Sequence, residues 1–490
     1  MSVQIFLQGK IVGIEEFLLS PAEARMDGSD FGGGGLLPGR SRWVSLLSEV
    51  LPRALLNELG LARVLLGSSG GGQFIVVLPS EAEPDARRFL DSASRQIQEL
   101  SGGRLHLVSA ATENLGDWSV VRKRLSEEML GRRGTPAASL GLALFAPFEG
   151  SAGAAAADYF AKDLSLDLLT AEEVGWSPEA PGKVLVGEGK HRWPLASALS
   201  PDAIAIARHA AMSDDGAAPA DLATLGSRAQ GRPTWGVLRG DVDNLGIRLR
   251  RVQTIEEHVQ VSVMYKRFFA GELEVVCSLP DYWRKVSILY TGGDDFAVYG
   301  SWDALIPLAR EIQRLFHRFS EENLKDLPGP EGKTITMAVA IARDPASTLA
   351  SVYEQAGQML DLAKATDKDC IFVLGHTLEW RQLAAASDLR ESILRMAGEL
   401  DSPRRFLVDL TAFYRKAAAA SRLTSGGKYF EKPWQVQRLL NRALGETRDR
   451  ELQKLRTHLT NEILVKGAAH TKLRPGGQVA LEWARLSAEV

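Results

Sequence analysis

The sequence predicts an α+β protein built around two related domains, each running strand, helix, β-hairpin, helix, strand. Three observations predict it. A glycine-centred hairpin signature occurs twice, at Gly70–Phe74 and at Gly292–Phe296. An amphipathic helix pattern follows each copy, and a strand-like apolar run follows each helix.

In the first copy, the small turn Gly9-Lys-Ile-Val-Gly-Ile14 closes the opening strand. The run Val64-Leu-Leu66 leads into Gly70-Gly-Gly-Gln-Phe74, and Ile75-Val-Val-Leu78 leads out, reading as strand, tight turn, strand. Residues 84–100 place Ala86, Phe89, Leu90, Ala93 and Ile97 on one helical face, and Leu105–Ala110 reads as the closing strand. The second copy repeats this order. Gly240-Asp-Val-Asp-Asn-Leu245 ends an apolar strand, and Val286–Tyr290 and Ala297–Tyr299 flank Gly292-Gly-Asp-Asp-Phe296. Residues 302–322 then carry the stripe Leu305, Leu308, Ala309, Ile312, Leu315, Phe316 and Phe319, before the strand Thr334–Ala342. This order is βαββαβ, the ferredoxin-like or palm layout.

The expected division is a first palm over 1–130, a partly helical linking domain over 131–230, a second palm over 231–378, and a helical C-terminal domain over 379–490. The linking part is rich in Ala, Gly and Pro, as in Gly150–Ala157, and no strand signal follows Gly375. Residues 403–442 carry nine Lys/Arg against two Asp/Glu, a surface suited to RNA phosphates or an acidic partner, or simply a solvated helical face.

Composition narrows the function classes. With 490 residues, 45% hydrophobic, 24% charged and a net charge of −3, the chain reads as globular and cytoplasmic. It is not basic enough to coat nucleic acid alone. Two cysteines, Cys277 and Cys370, exclude a four-thiolate zinc site, and no apolar run is long enough to span a bilayer. Gly32–Gly35 and Gly426-Gly-Lys428 lack the Lys-Ser/Thr of a phosphate loop and read as loops. The eight histidines form no metal-spaced pair.

The chemistry concentrates in the second copy. Asp294 and Asp295 sit in a tight turn after two glycines that let a phosphate approach the backbone, and the first strand should bring Asp241 beside them. Carboxylates so placed form an oxygen-ligand site for Mg²⁺ or Mn²⁺, with the Val242 carbonyl as a further ligand. Two such ions activate a 3′-hydroxyl and neutralise the leaving pyrophosphate. Lys364, near the end of a helix opening around Ser351, suits a phosphate. Catalytic candidates are therefore Asp241, Asp294 and Asp295, with Gly292, Gly293, Asn244, Lys364 and Lys368 as nucleotide contacts. In the first copy Lys10 stands for Asp241, and Gly72 and Gln73 for the aspartate pair. That copy should hold no metal; it binds the acceptor nucleotide or is purely structural.

Gly240-Asp-Val-Asp-Asn-Leu-Gly246 with Tyr290-Thr-Gly-Gly-Asp-Asp-Phe296 resembles the second palm of the large subunit of type III CRISPR effector complexes. Gly13-Ile-Glu-Glu-Phe17, Gly39-Arg-Ser41 and Gly70–Phe74 are similar to segments of that family's first palm. Tyr159–Leu168 and Asp221–Gly226 lean toward the Csm type. More distantly, Ala363–Asp369 resembles a diguanylate cyclase segment, with Asp367 where those cyclases carry glycine. The resemblance implies a synthase making 3′–5′ cyclic oligoadenylates from ATP on target RNA binding. It also implies metal on Asp241, Val242, Asp294 and Asp295, with Asp295 assisting deprotonation and Lys364 on the triphosphate. Its implied partners are other type III subunits, guide RNA and target RNA, with no membrane and no zinc. The chain opens on the first palm and holds no His-Asp dipeptide, so no HD-type DNase is expected. The alternatives are a cyclase with another product and a catalytically silent scaffold subunit.

Overall fold

The structure is a computed structural model. It describes residues 3–20, 36–133, 156–196, 200, 202–327, 329–344, 346–398, 464–466, 471–473 and 475–489, with isolated residues between 407 and 457. Gly32–Gly35, residues 150–155, Gly426–Lys428 and most of the basic stretch 403–442 lie outside the described residues.

The first sheet contains β1 (Gln4–Val12), β2 (Leu66–Gly70), β3 (Gln73–Pro79) and β4 (His106–Glu113), in the order β2-β3-β1-β4. Helices α1 (Ile14–Leu19) and α2 (Leu37–Glu58) follow β1, α3 (Glu83–Leu100) joins β3 to β4, and α4 (Trp118–Arg133) follows β4. This is the βαββαβ arrangement expected. The α3 stripe buries Ala86, Leu90, Ala93 and Ile97 and half-buries Phe89. Boundaries differ: residues 63–65 form a 3₁₀ turn with Val64 87% exposed, so the strand begins at Leu66; Gly9–Val12, read as a turn, is the end of β1; and the closing strand runs on to Glu113.

The second sheet repeats the topology and extends it. Its core is β9 (Trp235–Val242), β10 (Val286–Thr291), β11 (Asp295–Ser301) and β12 (Ile335–Ile341), ordered β10-β11-β9-β12. Helices α5 (Leu245–Arg251) and α6 (Ile255–Arg267) follow β9, and α7 (Trp302–Asn323) joins β11 to β12. After α8 (Leu349–Thr366) the chain adds β13 (Cys370–Val373) parallel to β12 and then β14 (His376–Glu379). Leu305, Leu308, Ala309, Ile312 and Phe316 of α7 are buried, and Leu315 and Phe319 are half-buried against them.

One expectation needs an addition and one a correction. The linking segment was read as partly helical; its described part holds helical stretches at Tyr159–Asp167 and Leu222–Ser227 and, in addition, an unexpected four-stranded sheet of β5 (Glu173–Trp176), β6 (Leu185–Val186), β7 (His191–Ala196) and β8 (Ile204–Ala205). No strand was expected after Gly375, yet β14 lies there, as does a small hairpin of β15 (Leu464–Lys466) and β16 (Thr471–Leu473). Strands of two to six residues carry too few alternations for their period to register. The helices α9 (Trp380–Gly398) and α10 (Pro475–Ala488) pack together, in keeping with the helical character expected of the C-terminal part.

The palms exchange helices. Helix α2 of the first packs on β10 of the second as well as on its own β2, and α6 of the second packs on β2 of the first. Lys266 on α6 accordingly reaches Glu49 on α2 at 2.5 Å, a buried ion pair that joins the two palms. No helix among the described residues is long and apolar enough to cross a membrane.

Candidate active site

The carboxylates are positioned by sheet register. In the antiparallel pairing of β9 with β11, Asp241 stands directly opposite Asp295, so both side chains emerge on one face. Asp294 sits in the turn before β11, and its carbonyl accepts a 2.8 Å hydrogen bond from Val242 N–H. The three expected catalytic residues are thus brought together. The first palm shows the same register, with Lys10 opposite Gln73, as the alignment of the two copies requires.

Each carboxylate has a distinct environment. Asp241 Oδ1 lies 2.5 Å from Lys364 Nζ, which α8 delivers from its last turn. Asp295 Oδ2 accepts a 2.9 Å bond from the Tyr290 hydroxyl. Burial raises the Asp294 carboxyl, and the neighbouring charges of Asp295 and Asp241 raise it further, to about 7. Burial also raises Asp241, partly offset by Lys364, and Asp295, partly offset by the Tyr290 hydroxyl. Negative charge crowded into a half-buried turn calls for a cation.

Contact requires glycine at position 292. A Cβ on Gly292 would lie 2.0 Å from Asp295 Oδ1, and Gly292 N–H closes the turn on the Asp295 carbonyl at 2.7 Å. Gly293 faces the other palm: a Cβ on Gly71 would stand 3.4 Å from Gly293 N. The two hairpin turns therefore meet tip to tip, beside one cavity lined by Ser69, Gly71, Gln73, Gly292 and Asp294 together with Glu49 and Lys266. Asn244, in left-handed conformation at φ 60°, and Lys368 pair with each other on the exposed side of the strand end.

Among the described residues, no three acidic, histidine or cysteine side chains form a preformed metal cage. Mg²⁺ does not require one, since one or two carboxylates with waters and substrate phosphates suffice. Asp241 and Asp294 offer oxygens of that kind; one oxygen of Asp241 is engaged by Lys364 and one of Asp295 by Tyr290.

Sequence reasoning missed Tyr290 as the partner of Asp295, although it stands just before the turn. It also missed the half-buried Arg239, whose guanidinium lies 4.2 Å over the Tyr353 ring. Glu49, Lys266 and Asp243 went without a role.

Residues 234–372 match the family model described as Cas10/Cmr2, second palm domain. This part of the chain is thus similar to the second palm of large type III CRISPR effector subunits, and the relatives it resembles are of Csm type. Among relatives of the Cas10/Csm1 family, the subtype III-A single-strand-specific deoxyribonuclease Cas10/Csm1 of Enterococcus italicus is 28% identical over 179 residues, covering 36% of this chain and 21% of that protein. The Mycobacterium tuberculosis protein of the same name is 30% identical over 159 residues, covering 28% and 18%. The aligned part thus spans about a fifth of the length of these relatives. Csm1 from T. onnurineus has a similar fold, with a TM-score of 0.69 at 16% identity over 100% of this chain and 70% of that one. A Csm1–Csm4 cassette in complex with cA3 gives a TM-score of 0.67 at 17% identity, with the same coverage.

Proposed function

We propose that this chain is a nucleotidyltransferase that converts ATP into 3′–5′ cyclic oligoadenylates when its effector complex binds target RNA. One observation carries the reading: Asp241 and Asp295 face each other across β9 and β11, and Asp294, in the turn beside them, lines a cavity shared by both palms. Structural relatives include Csm1–Csm4 cassettes in complex with pppApApA and with cA4, which supports the product class.

Asp241 and Asp294 would hold Mg²⁺ or Mn²⁺, with the Val242 carbonyl beside them; the bound ions would lower the pKa of the attacking 3′-hydroxyl and neutralise pyrophosphate. Lys364 exchanges Asp241 for the triphosphate, and Lys368 and Asn244 stand on the same side. Gly292 and Gly293 let the phosphates approach the turn. Asp295, oriented by Tyr290 and with Oδ1 over Gly292, takes up the hydroxyl proton. We assign the acceptor nucleotide to the first palm's side of the cavity, a reading supported by Ser69, Gly71 and Gln73 lining it opposite Asp294. A Csm4-type subunit, guide RNA and target RNA are the proposed partners. No HD-type DNase activity is expected of these 490 residues, which contain no His-Asp dipeptide.

The test is mass spectrometry of products formed from ATP with Mg²⁺ or Mn²⁺, using the chain alone and in its reconstituted complex with target RNA. Cyclic oligoadenylates that disappear with Asp294→Ala/Asp295→Ala support the synthase. A different cyclic nucleotide would replace the product assignment. No product from any nucleotide would leave a silent scaffold subunit.

A further inference from the structure

Asp243 is the second carboxylate of the Asp-x-Asp strand end, yet it turns away from the cation site. It is 1% exposed. Its Oδ1 accepts a 2.7 Å bond from Thr336 Oγ1, and its Oδ2 accepts from Thr334 Oγ1 at 2.8 Å and from Asp369 N–H at 3.0 Å. The Asp369 N–H also reaches Thr336 Oγ1 at 3.1 Å. The Asp243 backbone is equally committed: its N–H donates to Thr334 O at 2.9 Å, and its carbonyl accepts from Gly332 N–H at 2.7 Å.

These bonds tie two chain segments of different function. One is 241–244, which carries Asp241. The other is 364–369, which leaves α8 at Asp367 in an extended conformation and turns through Asp369 at φ 58°. Ties on either side of Asp243 join the same two segments, Asp241 to Lys364 and Asn244 to Lys368. Those flanking ties are half-exposed or exposed and are the ones a triphosphate would displace, whereas the Asp243 end of its tie is buried.

We propose that Asp243 is a positioning residue: it fixes the segment bearing Lys364 and Lys368 against the carboxylate strand, so that both lysines stay in place when nucleotide takes them from Asp241 and Asn244. The inference rests on the nucleotidyltransferase reading for what the lysines contact, but not for the fold of the segment. A carboxylate surrounded by three donors acts here as an acceptor hub, and its charge is not what the role requires. Asparagine can take over much of that part. Its carbonyl accepts from Asp369 N–H and Thr334, and its amide donates to the Thr336 hydroxyl, which can rotate to accept.

The experiment compares Asp243→Ala and Asp243→Asn with the native chain in two measurements. The first is the rate of tryptic cleavage after Lys364 and Lys368 in the full chain. The second is KM and kcat for ATP in the reconstituted, RNA-activated complex. Asp243→Ala is expected to speed cleavage and to raise KM about tenfold or more with a smaller change in kcat, the scale of a lost charge-assisted phosphate contact. Asp243→Asn is expected to restore both toward native. Asp243→Asn as inactive as Asp241→Asn would overturn the proposal, because it would show that the charge itself is needed. Native cleavage and KM in Asp243→Ala would overturn it too. If Asp243→Ala fails to fold by circular dichroism, Thr336→Val, which deletes one donor, decides by the same two readouts. A native complex that makes no product defeats the function reading, while the cleavage arm still decides the role of Asp243.

Discussion

Lys266 of the second palm lies 2.5 Å from Glu49 of the first, and the Glu49 carboxylate also holds Arg53 at 2.7 Å and the Ser69 hydroxyl at 2.9 Å. Both partners of the cross-palm pair are buried, with side-chain exposures of 16% and 5%. Breaking such a pair from one side leaves a charge stranded in low dielectric, a loss of about 3 kcal/mol. Glu49→Gln, which strands both Lys266 and Arg53, should lower unfolding stability by about that amount in denaturant titration, and Lys266→Met, which leaves Glu49 paired with Arg53, should cost less.

The same carboxylate sets an acid limit. Burial alone would raise the Glu49 pKa, but Lys266 and Arg53 outweigh it and hold the group down to about 2. A depressed carboxyl contributes stability that is fully present above its unfolded value and is lost as pH falls through the folded one. Between about pH 4.5 and about pH 2 the native chain should therefore lose stability that Glu49→Gln never had, as thermal unfolding across that range would show.

Asp294 has the opposite sign. Its carboxyl is raised from 3.8 to about 7, so the folded chain binds this proton more tightly than the unfolded one. Without divalent cation, the melting temperature should rise as pH falls from about 8 to about 6, and Asp294→Asn should flatten that slope. If Asp294 is a ligand as proposed, Mg²⁺ at about pH 8 should stabilise the native chain and leave Asp294→Asn unmoved.

Tyr290→Phe removes the hydroxyl that orients Asp295 and leaves the ring among its apolar neighbours. We expect normal folding and a fall of about tenfold in kcat for ATP, the scale of one hydrogen bond to a charged group. An unchanged kcat would mean that Asp295 needs no orienting partner.

Gly71 and Gly103 both hold positive φ, 58° and 77°, but only Gly71 abuts the other palm; nothing lies within 4 Å of a Cβ on Gly103. Alanine at either should cost about 1–2 kcal/mol of backbone strain. Product formation should fall further with Gly71→Ala than with Gly103→Ala, because only the former puts a methyl in contact with the Gly293 turn.

The topology was legible because its signals are local. Two glycine turns, two amphipathic stripes and the strands beside them fall within short windows, and aligning the copies placed Lys10 and Gln73 where the register pairs them, as it pairs Asp241 and Asp295. The convergence of the three aspartates followed from that topology. The Glu49–Lys266 pair was not legible, since 217 residues separate its partners and only the docking of the palms brings them together. Asp243 was visible as a spacing but not as a hub, because its donors, Thr334, Thr336 and Asp369, belong to segments about 90 and 126 residues away. The linking sheet and the β15–β16 hairpin escaped because their strands are too short to show a period.

The exchange of helices constrains how such a chain can be shortened or divided over evolutionary time. The first palm lacks the aspartate pair, yet its α2 forms part of the wall against which β10 of the second palm is built. Deleting the half without the aspartate pair would strip a buried face from the half that carries the carboxylates and expose apolar surface to solvent. Mutations that erase chemistry from the first palm leave the second palm's wall standing, whereas mutations that erase its fold do not. A duplicated domain in this arrangement can lose its carboxylates while remaining indispensable as architecture.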